Sequence, residues 1–175
     1  IFLKEEGMKI GFGATGKGYA ADKTKELMVS KGIVAGIINA SGDMNVWGKQ
    51  PNGDDWIIGL TNPLKKVKLF KTYQLSDMSV VTSGNYEKFV TMDGKRYAHI
   101  IDPRTGYPSS GILSVTIFAE NAEFANGIST SIMVLGKEKG MKLLNETPNI
   151  QGIIIDEKGK AFYSKKFKIK KYRKR

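Results

Sequence analysis

An α+β fold with a largely antiparallel sheet and few helices is what this sequence predicts, on three observations. Short apolar runs, punctuated by Gly, Asn and Asp turns, recur along most of the 175 residues, the pattern of meandering strands. Only three stretches carry helical spacing. Strands and helices do not alternate as a parallel sheet with crossover helices requires.

The elements follow in order. Ile1-Phe2-Leu3-Lys4 reads as a strand rather than a signal peptide. With no initiator Met, the chain reads as part of a longer protein. Residues 8–13 predict a strand running into glycines. Residues 17–31 predict a helix with Tyr19, Ala20, Leu27 and Met28 on one side and Gly32 as its stop. Residues 33–40 are an apolar strand ending in the turn Ser41-Gly42-Asp43. Residues 44–49 and 55–62 read as a hairpin around Pro51-Asn52-Gly53. Strands are expected at 67–75 and 79–81, and a hairpin joins 87–91 to 96–102 across Asp93-Gly94. After a strand at 114–119, a helix starts at Asn121, a good N-cap, and runs to Leu135 before Gly136. An amphipathic helix covers 137–145. Residues 150–156 and 160–164 close the chain as a hairpin around Glu157-Lys158-Gly159.

Composition narrows the class. Charged residues make up 26% and hydrophobic ones 41%, as in a soluble globular domain, and no run approaches the ~20 apolar residues of a membrane-spanning helix. The absence of cysteine excludes disulfides and thiolate metal sites. The net charge of +11 is uneven: residues 165–175 hold eight basic and no acidic residues. We divide the chain into a domain at 1–164 and a basic C-terminal tail at 165–175, read foremost as a solvated terminus. A basic tail can also meet nucleic acid or an anionic membrane.

Three clusters carry candidate chemistry. Residues 11–18 (GFGATGKG) match the Gly-x-Gly-x-x-Gly fingerprint, whose glycines let backbone amides approach a pyrophosphate at a helix N-terminus. The dinucleotide-binding α/β reading fails, because Ala40 and Ser41 stand where an acidic residue should end the next strand, and hairpins follow. An anion-binding turn aided by Lys17 and a tight strand–helix junction remain equal alternatives. The second cluster joins Thr82-Ser83-Gly84 to residues 97–108 (YAHIIDPRTGYP). His99 is the only histidine, and an imidazole can take a proton from a hydroxyl nucleophile near neutral pH. Asp102 lies three residues on and Arg104 is suited to a phosphate, yet spacing alone favours a strand-end histidine beside an ordinary turn. The third cluster is Asn126, Ser129 and Thr130. Asn126 and Thr130 are four apart on one helix face, and hard cations favour such oxygens, normally with a carboxylate among them. These hydroxyls can equally bond back to their own helix.

Taken together and in this order, the segments GFGATGKGYAAD, INASGD, VVTSGNYEKF, YAHIIDPRTGYP, SVTIFA and FANGISTSIMVLG resemble the ApbE family of FAD:protein FMN transferases. The resemblance runs from residue 8 to about 155 and matches the C-terminal part of such an enzyme. It implies a T-fold-like architecture and an extracytoplasmic protein, periplasmic or a lipoprotein of the cell membrane anchored through a preceding segment. It implies FAD as substrate and Mg²⁺ as cofactor. The partner implied is an acceptor protein whose Thr or Ser hydroxyl receives FMN as a phosphoester while AMP leaves, typically a subunit of a membrane redox complex; nucleic acid is disfavoured. Carried onto this chain, the metal would lie among the Ala14 carbonyl, Asn126, Ser129 and Thr130. Gly11, Gly13 and Lys17 would hold the phosphates, and Ser41, Gly42, Asp43, Thr82, Ser83 and Gly84 would line the flavin pocket. His99 would be the base, with Asp102 fixing its orientation. One departure stands out: the family usually carries Asp where this chain has Asn126, which removes a charge from the metal shell. Two neighbouring activities therefore stay in view, an FAD-binding or carrier protein and an FAD pyrophosphatase.

Overall fold

Two apolar clusters on opposite faces of one antiparallel sheet organise the molecule. The structure is a computed structural model and describes residues 1–64, 68–85, 89–92 and 95–172, without the side chains of 92, 95 and 96. Along the chain run α1 (Gly16–Ser30), β1 (Gly36–Ala40), β2 (Asp43–Trp47), β3 (Trp56–Thr61), β4 (Leu69–Leu75), β5 (Met78–Gly84), β6 (Phe89–Met92) and β7 (Lys95–Ala98). Then come β8 (Ile112–Ala119), α2 (Ala122–Leu135), α3 (Lys137–Glu146), β9 (Gln151–Asp156) and β10 (Ala161–Tyr163). The main sheet has the order β1-β2-β5-β8-β9-β10, every neighbouring pair antiparallel. The pairs β3–β4 and β6–β7 form separate two-stranded sheets. The α+β expectation holds.

Strands β8 and β9 are buried along nearly their whole length because both faces of the sheet are covered. Val115, Ile117 and Ile154 face the helices, whereas Phe118, Ile153 and Ile155 face the β3–β4 hairpin. The result is three layers: helices, sheet, hairpin. No described helix is long and apolar enough to cross a membrane.

Most sequence-derived elements are present, among them α1, α2 with Asn121 accepting a hydrogen bond from Phe124 N at 2.7 Å, α3 and the β9–β10 hairpin. The hairpin expected across Asp93-Gly94 is found as β6–β7. That turn, the strand starts expected at 67 and 87, and residues 173–175 lie outside the described residues.

Other expectations are corrected. Residues 1–4 and 8–13 form no strand, because no ladder partner lies beside them among the described residues. The strand expected from 33 begins at Gly36. The hairpin expected between 44–49 and 55–62 does not form: β2 pairs with β1 and β5, and β3 pairs with β4. The two-residue turn Ser41-Gly42 wins, with φ of 55° and 97°, the left-handed pair that matches hairpin twist. The Pro51-Asn52-Gly53 segment instead carries the chain between layers, tied by Trp56 Nε1 donating to the Trp47 carbonyl at 3.1 Å.

Up to Tyr172 the basic segment is not a loose terminus. Gln74 N donates to the Lys170 carbonyl at 2.9 Å and Tyr172 N to the Thr72 carbonyl at 3.0 Å, so the chain runs antiparallel along β4. Phe167 sits edge-on against Tyr73, Phe118 and Tyr163, with ring centroids 5.1–5.9 Å apart, a favoured aromatic geometry. Residues 165–172 thus belong to the same folded unit.

Candidate active site

Helix α2 sets two polar residues among the apolar ones it buries. Its buried residues are Ala122, Ala125, Asn126, Ser129, Ile132 and Met133, whereas Phe124 is 48% exposed. Small residues let the helix sit close. Gly18 of α1 packs against the Ala122 carbonyl, where any Cβ would collide. One turn on, buried Asp22 accepts from the backbone amides of Ala122 at 2.9 Å and Glu123 at 2.8 Å. These are first-turn donors that a helix leaves unpaired, and a carboxylate there also suits the helix dipole. Asp22 further accepts from Asn45 Nδ2, and Asn45 Oδ1 accepts from Ser79 Oγ at 2.8 Å. This buried chain locks α1 and α2 onto β2 and β5. The sequence reading passed over Asp22; its signal was a carboxylate four residues after Gly18, on the same helix face.

With α2 fixed, the three clusters meet. A cleft of about 590 Å³ is lined by Gly11, Gly13, Ala14, Lys17, Ser41, Thr82, Ser83, Gly84, His99, Asn126 and Thr130, together with Ile100, Ile101 and Val134. Gly11 to Ala14 lead into the N-terminus of α1, which has no side-chain cap and no acidic residue in its first turn, leaving amides suited to an anion. Ser83 Oγ bonds Ser129 Oγ at 2.7 Å and lies 3.4 Å from Thr130 Oγ1, joining β5 to α2. Thr82 Oγ1 bonds Thr116 Oγ1 at 2.9 Å. His99 stands just past β7 at the cleft's exposed rim.

Four predicted site residues do not line the cleft. Gly42 supplies the turn and donates to Asn39 Oδ1 at 2.8 Å. Asp43 lies fully buried beneath Lys17, whose Nζ is 3.1 Å from Oδ2. Burial pushes its carboxyl above the usual range, and the Lys17 ammonium opposes the shift. Ser129 is spent on Ser83 and on the Asn126 carbonyl, 3.0 Å away. Asp102 turns to Arg104, which donates from Nε at 2.9 Å and Nη2 at 2.6 Å. That guanidinium holds the Asp102 carboxyl at about 2. Asp102 is thus engaged by Arg104, and Arg104, bound also to the Val134 carbonyl at 3.1 Å, does not line the cleft.

A cation has one clear acceptor. Asn126 is almost completely buried, and its Oδ1 accepts no hydrogen bond among the described residues, a state that costs roughly 1–3 kcal/mol unless a ligand fills it. Thr130 shares its helix face. The donor set is neutral oxygen, which suits a hard cation such as Mg²⁺. No group of three or more acidic or histidine side chains gathers among the described residues.

An antiparallel sheet that brings a glycine turn and the polar residues of a helix to one cleft defines a class, α+β proteins without the parallel dinucleotide-binding fold. The chain belongs to the ApbE family, whose model matches residues 2–154. It is 34% identical over 157 residues to the FAD:protein FMN transferase of Klebsiella pneumoniae, covering 89% of this chain and 48% of that protein. It is 35% identical over 166 residues to the FAD:protein FMN transferase of Treponema pallidum, covering 89% and 46%. Among solved structures, the ApbE protein of Thermotoga maritima superposes with a TM-score of 0.84 at 34% identity, over 91% of this chain and 52% of that one. The flavinyl transferase ApbE of Pseudomonas stutzeri, in its apo form, superposes at 0.77 and 30% identity, over 90% and 50%. The chain spans about half the length of the curated relatives it matches.

Proposed function

We propose that the protein containing this chain transfers FMN from FAD to a Thr or Ser hydroxyl of another protein. The observation that carries this reading is the convergence of the glycine turn, Lys17, His99, Asn126 and Thr130 on one cleft. In this reading the amides after Gly11 and Gly13 and the Lys17 ammonium grip the pyrophosphate of FAD. Asp43 holds that ammonium at the cleft wall. His99 takes the proton of the acceptor hydroxyl. The hydroxyl oxygen forms a bond to the FMN phosphorus as the phosphoanhydride bond breaks, and its electron pair departs on AMP. Asn126 Oδ1 and Thr130, with the Ala14 carbonyl, would hold Mg²⁺, which when bound supplies charge neutralisation for the anhydride. By its family resemblance the protein works outside the cytoplasm, as a periplasmic or membrane-anchored lipoprotein, on a subunit of a membrane redox complex.

The test is incubation of the protein with FAD, Mg²⁺ and a Thr-bearing acceptor. Covalent flavin fluorescence on the acceptor with stoichiometric AMP is expected; an unlabelled acceptor with intact FAD overturns the reading. A second reading rests on Asn126, since a neutral amide in place of the family's carboxylate weakens a cation site. Under it the protein binds FAD, or lets water cleave it, without labelling an acceptor. Asn126→Asp separates the two: roughly tenfold tighter Mg²⁺ binding by calorimetry is expected from the added charge, and labelling that appears only in the variant favours the second reading.

A further inference from the structure

Charge and hydropathy converge on the layer opposite the cleft. Residues 56–76 and 158–175 contain 14 of the 28 lysines and arginines and no Asp or Glu, so they carry more than the whole net charge of +11. The fold brings the described residues of these two segments together, because residues 170–172 pair with β4 and the turn before β10 places Gly159 against Leu64. Lys68, Lys158, Lys165, Lys166, Lys168 and Lys170 are all exposed. Phe167 and Ile169 pack onto the second cluster, so Lys168 and Lys170, at alternate positions of an extended chain, project from the other side, roughly 6.6 Å apart. The carboxylates that border these segments are engaged: Asp55 lies 3.5 Å from Lys49 Nζ, Asp77 accepts from Gly48 N at 3.0 Å, Asp156 lies 3.7 Å from Lys137 Nζ, and Glu157 accepts from Gly111 N at 2.6 Å.

The same layer exposes aliphatic side chains. Ile58 and Leu60 of β3 point into the core, so Ile57 and Gly59 point out, and Leu69 lies over Gly59. Ile57, Leu64 and Leu69 are 43%, 60% and 61% exposed. Lysines alone fit any polyanion. Lysines bordering exposed aliphatics fit a bilayer, whose phosphates meet ammonium groups while its interfacial region accepts apolar side chains. A nucleic acid gives the aliphatics no role and asks for a groove with stacking rings, yet Tyr73 is part of the second cluster, Trp56, Phe70, Tyr163 and Phe167 pack against it, and Phe162 packs against the first.

We propose that the outer face of the β3–β4 hairpin and the adjoining segment at 165–172 dock onto an anionic membrane surface, leaving the cleft on the far side of the sheet free. This inference is independent of the chemistry proposed for the cleft. Co-sedimentation of the protein with phosphatidylcholine vesicles, with and without roughly 30% phosphatidylglycerol, tests it, since each lysine near such a surface adds roughly fivefold in affinity. Binding to the anionic vesicles only, lost at about 0.5 M salt, is expected. The triple variant Lys166→Gln, Lys168→Gln, Lys170→Gln should bind roughly 100-fold more weakly with an unchanged melting profile. Leu64→Ser with Leu69→Ser should weaken vesicle binding and leave any affinity for a DNA duplex untouched. Protein left in the supernatant, a triple variant that binds as well as wild type, or a DNA duplex bound as tightly as the vesicles overturns the proposal.

Discussion

The two faces of the central sheet are held by different forces. On the helix side, small residues and buried polar ties set the geometry: Gly18 against Ala122, Asp22 on the amides of α2, Ser83 on Ser129. On the hairpin side, an aromatic cluster of Tyr73, Phe118, Tyr163 and Phe167 fills space. Hydrogen bonds between charged and neutral groups are directional, so they fix positions, whereas dispersion and apolar burial fix mainly volume. The candidate site sits where position is controlled.

Perturbing each side should break this contrast or sharpen it. The largest effect is expected at His99: His99→Ala should lower flavin transfer by roughly 10²–10⁴-fold and leave the melting temperature unchanged. Next comes Asp22→Ala, which strips the two α2 amides and Asn45 of their partner. A loss of ~3 kcal/mol is expected, read as a melting point lower by roughly 6–12 °C, and Mg²⁺ affinity should fall with it as α2 loosens. Phe167→Ala should cost ~2 kcal/mol, less than a fully enclosed ring would, while FAD and Mg²⁺ titrations remain at wild-type values. A cleft that weakens with Phe167→Ala would show that the two faces are not separable. Smallest is Arg104→Ala. A carboxyl depressed in the fold contributes stability above the ordinary carboxylate range and loses it as pH falls through its folded value, here about 2. Removing the guanidinium should return the Asp102 titration toward 3.8 by carboxyl NMR, with a small loss of stability above the carboxylate range that disappears as pH falls to about 2.

How much of this was legible in the residues follows the same division. Local signals were reliable: Asn121 and Gly136 bracket α2, and Glu157-Lys158-Gly159 turns β9 into β10. Pairing between distant strands was not, because Ser41-Gly42 and Pro51-Asn52-Gly53 both read as turns and only the sheet decides between them. The inward face of α2 is mixed, with Asn126 and Ser129 buried beside Ala122, Ala125, Ile132 and Met133, and the burial of its two polar residues makes sense only once β5 stands opposite with Ser83. Asp102 was linked to His99 through the family resemblance, whereas the Arg104 side chain, two residues away, binds its carboxylate through two nitrogens. The charged tail was read as solvated because its lysines hide the alternation of Phe167 and Ile169.

The pairing of Tyr172 with Thr72 spans 100 positions of sequence. During synthesis, one edge of β4 must therefore wait, unpartnered, until the residues around 172 have left the ribosome. Contacts so remote slow folding, and an unpaired strand edge invites association with other nascent chains. The lysines that flank it would keep such intermediates apart by mutual repulsion, so the charge that distinguishes this layer in the finished molecule also guards its assembly.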